Sequence, residues 1–459
     1  MNSEKVVIKH EGNAMPYWAI EVVQIFNGVA PFDITGNCNS FTVNGKNPPD
    51  TNDNHELKRW LYVFLSELTG YSSPWGCMTG IRPTKIINTL FAEGHDEKYI
   101  RDYLEKFYLV SQEKTDLAME TVRIQKPFLR GVDTAVADWY SNIPFCPTRC
   151  LYCAFTSHAI GQYKNKLDDY LDALERELEA TAKLHSKVAE KAECLYLGGG
   201  TPTSLPEKQF DRYINMFSKY IDISSLKEFA LEAGRPDSIT PAKLESAKKA
   251  GVTRLSVNPQ TMNDITLNRI GRLHNAMQVR DAVKMAKEAG FENINMDLIA
   301  GLPGETPEMF RHTLEEVRKL EPTGITVHTL SIKRAADLKQ DEENKAVLDA
   351  EITGRMVREA RAFTAAMGMH PFYMYRQKHM VGNHENVSYS IPGYESPYNI
   401  HIMEEDRTIL GIGAGAVTKA VAADGNISRA YNVKGIEYYL ERGDEMMKKK
   451  RELFEPFSE

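Results

Sequence analysis

Between residues 138 and 330, short apolar runs alternate with segments of helical period. The runs cover residues 138–143, 194–197, 228–231, 254–257, 293–298 and 324–330. Each is short and bounded by turn residues, which predicts a strand. Between them, Leu167, Leu171, Leu174 and Leu178 recur at three-to-four spacing, as do Val279, Val283 and Ala286, which predicts helices. Strands alternating with helices predict right-handed βαβ units and a parallel sheet. The spacing suits either a doubly wound sheet or an open six-unit barrel. Both place chemistry at the carboxyl ends of the strands.

The flanks have a different texture. The first 130 or so residues open with short β-rich stretches at 5–9, 19–26 and 40–43. A helix follows, with Leu57, Leu61, Phe64, Leu65 and Leu68 on one face. Residues 74–85 hold two glycines and two prolines, which predicts a structured loop with Pro83 in the first turn of the next helix. Helical patterns then cover 99–108 and 112–122. Beyond 350 come a helix at 352–367, an aromatic and polar stretch at 370–399, and a strand entering a glycine-rich turn at 408–416. A last amphipathic helix spans 435–451. The pattern divides the chain into an N-terminal α+β accessory region (1–130), a core (131–350) and a C-terminal α+β extension (351–459).

Composition narrows the class. The chain has 459 residues, 42% hydrophobic and 26% charged, enough for a large core. A net charge of −7 gives no basic field for nucleic acid. The run Lys448-Lys449-Lys450-Arg451 reads as a solvated helix end. No stretch of about 18 apolar residues predicts a membrane span. The start of the chain lacks the long apolar region of a signal peptide. Six cysteines in this length form no disulfide framework, so a reducing, cytoplasmic setting is expected.

Three of those cysteines, Cys146, Cys150 and Cys153, fall in one eight-residue window directly after the first core strand. Three thiolates at this spacing suit three irons of a 4Fe–4S cube, with the fourth iron open to a ligand. Zinc competes, but a structural site wants four ligands, and the fourth would be His158 or a distant residue. Buried, unliganded cysteines are the third possibility.

Other strand ends add polar features. The second strand runs into Gly198-Gly199-Gly200-Thr201-Pro202-Thr203, whose backbone N–H and C=O groups a ligand can approach closely. The Gly-x-Gly-x-x-Gly spacing of a dinucleotide site is absent. Glu232 closes the third strand and Gln260 follows the fourth. Asp297 lies in the fifth, before Gly301-Leu302-Pro303-Gly304. Carboxylates at apolar strand ends are costly unless paired or bound to a ligand. Four such features at successive strand ends point to one ligand site.

In this order, the cysteine window, the Gly-Gly-Gly-Thr-Pro-Thr turn, Glu232, Gln260, Arg272, Asp297 and the Gly-Leu-Pro-Gly-Glu-Thr segment resemble the radical S-adenosylmethionine (SAM) superfamily. More narrowly, residues 135–335 resemble the oxygen-independent coproporphyrinogen III oxidase family. Trp75-Gly76-Cys77-Met78-Thr79-Gly80-Ile81-Arg82-Pro83, Tyr373-Met374-Tyr375-Arg376-Gln377 and the 411–416 turn are similar to its HemZ-like branch. The resemblance implies an open (β/α)6 partial barrel, a 4Fe–4S cluster, SAM, and an electron donor such as flavodoxin or ferredoxin.

It also implies roles. Cys146, Cys150 and Cys153 would ligate the cluster. Tyr140 would sit beside SAM and Tyr152 on its adenine. Gly199, Gly200 and Thr201 would meet the methionine moiety. Glu232, Gln260, Arg272 and Asp297 would hold the amino-acid and ribose groups, and Ser331 would offer a backbone contact. The implied reaction cleaves SAM to a 5′-deoxyadenosyl radical. The radical takes hydrogen from a propionate of coproporphyrinogen III, CO₂ leaves, and a vinyl group forms on the way to protoporphyrinogen IX. Arg272, Arg334 or Arg376 would pair with propionates. The oxidases carry Gly-Cys after the third cysteine. This chain has Ala154-Phe155, and Phe155 resembles the haem-chaperone branch. Haem binding, with histidines at 370 or 379–384, and another radical reaction on a tetrapyrrole (anaerobic haem breakdown or methyl transfer) therefore stand beside the oxidase reading.

Overall fold

A computed structural model describes residues 5–11, 14–26, 29–36, 40–153, 155, 157–331 and 349–455. In the first region, β1 (Val6–Lys9) pairs parallel with β2 (Phe32–Thr35) and antiparallel with β3 (Thr42–Val43). The 19–26 segment is not a strand. It belongs to a helix, Tyr17–Ile25, that buries Ala19, Val22 and Ile25 at three-residue spacing. That period outweighs the β preference of its branched residues. The helix Asn54–Thr69 forms where expected, opened by the Asp53 carboxylate on the His55 amide and closed by Gly70 at φ 68°. Pro83 starts the helix Pro83–Ala92. Residues 99–108 divide into an α-helix, Glu97–Asp102, and a π-helical turn, Tyr103–Phe107, which turns Leu104 into the core.

The remaining strands are β4 (Ala137–Ile143), β5 (Phe145–Cys146), β6 (His158–Ala159), β7 (Cys194–Gly199), β8 (Glu228–Glu232), β9 (Arg254–Ser256), β10 (Asn293–Ala300), β11 (Gly324–Thr329), β12 (His370–Tyr375), β13 (Asn386–Ser390), β14 (Thr408–Ile412), β15 (Val417–Val421) and β16 (Ile427–Tyr431). All but β5 and β6 join one 11-stranded sheet, ordered β12-β13-β11-β10-β9-β8-β7-β4-β14-β15-β16. Its centre, β4-β7-β8-β9-β10-β11, is parallel throughout. These six strands neighbour one another in chain order, without the reversal of a doubly wound sheet. The expected open six-unit arrangement is therefore the one observed. Among the described residues β4 pairs with β14 and β11 with β13, so the sheet stays open at both ends.

The segment after residue 410 is tied to the core by one buried carboxylate. Glu177, on the helix Leu167–Val188, accepts from the Gly413 amide at 2.8 Å, from Asn432 Nδ2 at 2.7 Å, and from Tyr439 Oη and Lys450 Nζ. Lys450 also donates to the Gly411 carbonyl at 2.6 Å and is 1% exposed. The basic run at 448–451 is thus not wholly solvated. Lys448 and Lys449 pair on the surface with Glu452 and Glu445, while Lys450 turns inward. Burial drives the Glu177 carboxyl up, but the Lys450 charge and the surrounding donors hold it below its usual range. The predicted final helix breaks at Arg442 into Ile436–Glu441 and Gly443–Phe454, which sets Tyr439 and Lys450 on the same carboxylate. Removing the Tyr439 hydroxyl (Tyr439→Phe) should cost about 2 kcal/mol, the worth of a buried hydrogen bond to a charge. Urea unfolding reads that loss directly.

Candidate active site

The carboxyl ends of the six parallel strands surround one cavity of ≈ 360 Å³. Tyr140 enters from β4, Gly199, Gly200 and Thr201 from the end of β7, and Glu232 from β8. Gln260 follows β9, Asp297 lies in β10 and Ser331 follows β11. Cys146, Cys150, Tyr152, Cys153 and Arg272 complete the same wall, so every position assigned to the cluster or to SAM lines this one space.

Local contacts fix the cysteine loop. β5 and β6 pair at its base. The Leu151 amide donates to the Ile270 carbonyl at 3.1 Å, and Thr148 Oγ1 to the Gly271 carbonyl at 3.3 Å. The buried Arg235 donates to the Thr148 carbonyl at 3.2 Å and to its Oγ1 at 3.1 Å. Cys146 Sγ lies 3.6 Å from Thr201 Oγ1. Burial pushes the Cys146 thiol up, opposed by the Thr201 hydrogen bond and reinforced by Cys150. Burial does the same to Cys153. A bound cation is what would draw these thiols into thiolates. Among the described residues no three His, Cys, Asp or Glu side chains converge on a single ion. All three cysteines line the same cavity.

The glycine turn works differently from the expectation. The Gly200 amide donates to the Ile143 carbonyl at 2.7 Å and the Thr201 amide to the Phe145 carbonyl at 2.7 Å, so neither is left for a ligand. What the turn supplies is closeness. A Cβ at Gly200 would sit 2.5 Å from the Phe145 oxygen and 2.9 Å from Cys146 Sγ. Gly199 has φ +102° and leaves no room against Asn142. The end of β7 therefore packs backbone-first against the cysteine loop.

The opposite wall is polar and only partly satisfied. Glu232 accepts from Tyr196 Oη and from Asn258 Nδ2 at 3.1 Å. Burial and the neighbouring Asp297 carboxylate push it up to about 7. Burial also acts on Asp297, but His328 at 3.5 Å and Asn295 Nδ2 at 2.7 Å hold that carboxyl below its usual range. Gln260 takes φ +67°, its amide donating to the Asp297 carbonyl at 2.9 Å and its carbonyl accepting from Ile299 at 3.0 Å. This clip aims the side chain into the cavity. Arg272 donates to the carbonyls of Asn258 and Gly234. Asn258 Oδ1, Gln260 Oε1 and Arg272 Nε are buried without a hydrogen-bond partner. Unsatisfied buried groups of both polarities beside two carboxylates fit a zwitterionic, cationic ligand such as SAM. Tyr152 packs beside Leu267, Ile270, Ile299, Leu302 and Leu330, an apolar floor suited to a flat ring. Tyr140 Oη donates to Asn142 Oδ1 at 3.0 Å. The Ser331 hydroxyl donates to the Lys378 carbonyl at 2.9 Å.

Two other expectations change. Arg376 faces away from the cavity, donating to the Met78 carbonyl at 2.7 Å and to Asn383 Oδ1 at 2.6 Å, with its guanidinium 5.3 Å from the centre of the Trp75 ring. The alternation of β12 accounts for this, since Tyr375 and Gln377 line the cavity and Arg376 takes the other face. Arg334 and Ala154 lie outside the described residues. Of the three candidate arginines, only Arg272 is shown on the wall. His370 is held by Glu395 at 2.6 Å, and neither it nor His384 lines the cavity. Sequence reasoning passed over other lining residues, among them Tyr196, His328, Asn386 and Asn399, and took Tyr373 and Tyr375 only as part of a family motif without a site role. For Tyr196 and His328 the signal was a polar side chain inside an otherwise apolar strand, and for Tyr373 and Tyr375 their alternation, whereas Asn386, in a polar strand, and Asn399, on a helix, gave none.

Comparison with known proteins agrees with this geometry. The family model of the radical SAM superfamily matches residues 140–317. The oxygen-independent coproporphyrinogen-III oxidase-like protein HemZ of Bacillus subtilis is 40% identical over 406 residues, covering 86% of this chain and 81% of that protein. The heme chaperone HemW of the same organism is 32% identical, covering 66% of this chain and 74% of its own. Among solved structures, coproporphyrinogen III oxidase (HemN) from Escherichia coli superposes with a TM-score of 0.56 at 25% identity, covering 72% of this chain and 73% of that one.

Proposed function

Because the chain belongs to the radical SAM superfamily and, within it, to the oxygen-independent coproporphyrinogen III oxidase-like family, we propose that it oxidatively decarboxylates propionates of coproporphyrinogen III to vinyl groups, giving protoporphyrinogen IX without oxygen. One observation carries the reading: three cysteines, a glycine turn and two strand-end carboxylates line a single cavity at the carboxyl ends of the parallel strands. Cys146, Cys150 and Cys153 would hold a 4Fe–4S cluster. Glu232, Gln260, Arg272 and Asp297 would hold SAM, with Tyr140, Tyr152, Gly199, Gly200, Thr201 and Ser331 around it. When bound, these groups supply the one-electron chemistry that removes a hydrogen atom from a propionate arm. The chain's own part is binding and exclusion. Glu232 and Asp297 offer negative charge to the ammonium and sulfonium, and Arg272 offers positive charge to the carboxylate. The apolar floor beside Tyr152 keeps water from the adenine. No helix among the described residues is long and apolar enough to cross a membrane. The reducing cytoplasm is the compartment we assign, since thiols there stay available to iron.

The Glu232 environment makes a prediction about binding. Free Glu232 holds a proton up to about pH 7, and a cationic ligand favours its ionised form. SAM affinity of the cluster-loaded protein should therefore rise with pH, by up to about tenfold per unit below 7, and level off above it. Glu232→Gln should flatten that rise. Calorimetric titration across pH reads both, and an unchanged slope in the variant would remove Glu232 from the SAM site.

The activity itself is tested by anaerobic incubation with SAM, a reductant and coproporphyrinogen III. Vinyl-bearing product is expected. A second reading has its own support. Phe155 stands where the oxidases carry a cysteine, and relatives named heme chaperones reach 32% identity. Stoichiometric haem uptake, seen as a Soret shift, with no vinyl product would favour that reading. Ring opening or methylation would assign another reaction at the same cavity.

A further inference from the structure

The segment at 75–83, singled out in the sequence, lines no part of the active cavity, and the segment at 373–377 is divided, with Arg376 turned away from it. In the structure the two segments meet. The Arg376 amide donates to the Ile81 carbonyl at 2.7 Å. Its guanidinium donates to the Met78 and Gly80 carbonyls, at 2.7 and 3.4 Å, beside the fully buried Trp75 ring. Trp75 Nε1 donates in turn to Glu385 Oε2 at 2.7 Å. The other oxygen of that buried carboxylate accepts from Lys114 Nζ at 2.8 Å, which reaches in from the helix Gln112–Gln125. Tyr71 Oη on the Gly382 carbonyl at 3.2 Å and Asn383 Nδ2 on Ser73 Oγ at 2.7 Å extend the same seam. Removing one partner from charges buried this deeply is costly, so the seam holds one geometry.

Each anchored residue is a chain neighbour of the cavity wall. Arg376 stands between Tyr375 and Gln377, Glu385 directly precedes Asn386, and those three neighbours line the cavity. Successive side chains of an extended chain point to opposite faces, so holding Arg376 and Glu385 from behind sets the aim of the residues in front. Thr329 pins the same point to β11, its hydroxyl donating to the Glu385 carbonyl at 2.7 Å and its amide to Asn386 Oδ1 at 2.8 Å. β12 and β13 extend the sheet beyond β11, whereas the cysteine loop follows β4 at the far end of the parallel set. None of the positions assigned to the cluster or to SAM lies on β12 or β13. The wall these strands supply is therefore the part of the cavity left to the second reactant.

Given the function proposed above, on which this rests, we propose that Arg376 and Glu385 are positioning residues: the loop at 71–81 and Lys114 act through them to hold Tyr375, Gln377 and Asn386 where they orient the tetrapyrrole. The N-terminal region thereby takes part in turnover. The test uses the full-length, cluster-loaded protein. Arg376→Met removes the anchor behind Tyr375 and Gln377. Trp75→Phe keeps a ring beside Arg376 and loses only the bond to Glu385, and it serves should the first variant not fold. Iron content and SAM affinity should stay within about twofold of wild type, while KM for coproporphyrinogen III rises about tenfold or more. The 5′-deoxyadenosine released per vinyl group should rise about threefold or more, because a misaimed arm lets the radical go to waste. A merely structural loss would lower both products together and leave their ratio alone. An unchanged KM and ratio overturns the proposal, as does a parallel loss of SAM affinity, which would make the seam a general brace. Wild-type protein that makes no vinyl product fails the oxidase reading instead. Haem titration then reads the positioning: affinity should weaken about tenfold in Arg376→Met with SAM affinity kept, and unaltered haem affinity overturns it there too.

Discussion

A Cys150→Ser variant is expected to lose the iron of the reconstituted protein and, with it, all SAM cleavage. Cys150 is the middle of the three loop cysteines and is 8% exposed, so it has little freedom to seek another partner. A protein that binds a cube through three thiolates has no spare ligand among them. A serine hydroxyl does not ionise in the range where a thiol bound to iron does. The fold should survive the change. The loop is held by the Leu151–Ile270 and Arg235–Thr148 hydrogen bonds, none of which uses the thiol. Iron and sulfide content, with circular dichroism as the control, reads both halves. A variant that kept its iron would contradict the cluster assignment. A variant that unfolded would contradict the independence of the loop from its metal.

Gly200→Ala should lower turnover by about 100-fold or more, in a protein that still folds. The added methyl would lie 2.5 Å from the Phe145 oxygen and 2.9 Å from Cys146 Sγ. Neither distance is tolerable, so the end of β7 or the cysteine loop must move. A displacement of about 1 Å in a reacting geometry costs on the order of 100-fold. Gly161→Ala is the matched control, because Gly161 follows the same loop and nothing lies within 4 Å of a Cβ placed there. Absorbance of the reconstituted cluster together with kcat/KM separates lost cluster from misplaced SAM. Wild-type kinetics in Gly200→Ala would show that the close packing of β7 on the loop has no role in the chemistry.

The legible and illegible parts of the chain differ for physical reasons. The six parallel strands read clearly because strands covered on both faces are nearly continuous apolar runs. Glu232 and Asp297 stood out for the same reason, as carboxylates in apolar surroundings. The 19–26 segment misled because Val22, Val23 and Ile25 favour strands locally, whereas a packing partner decides in favour of the helix. β13 was hidden by its own polarity. Asn386, Ser388 and Ser390 are buried and face partners such as Thr326, an arrangement no local pattern reveals. Glu177 and Lys450 lie 273 positions apart, so their pairing depends on how the last helix docks. The glycine turn was legible as a feature, but that its Gly200 and Thr201 amides bond to the Ile143 and Phe145 carbonyls, and how closely it packs on the cysteine loop, is visible only in the folded structure.

The central claim is that this cavity removes hydrogen from a propionate arm of coproporphyrinogen III. The most direct measurement is to follow deuterium placed on the propionate carbon that becomes part of the vinyl group. Under anaerobic conditions with SAM and reductant, the account predicts deuterium in the 5′-deoxyadenosine that forms, together with a vinyl product. Formation of 5′-deoxyadenosine free of deuterium, with coproporphyrinogen III left unchanged, would contradict it.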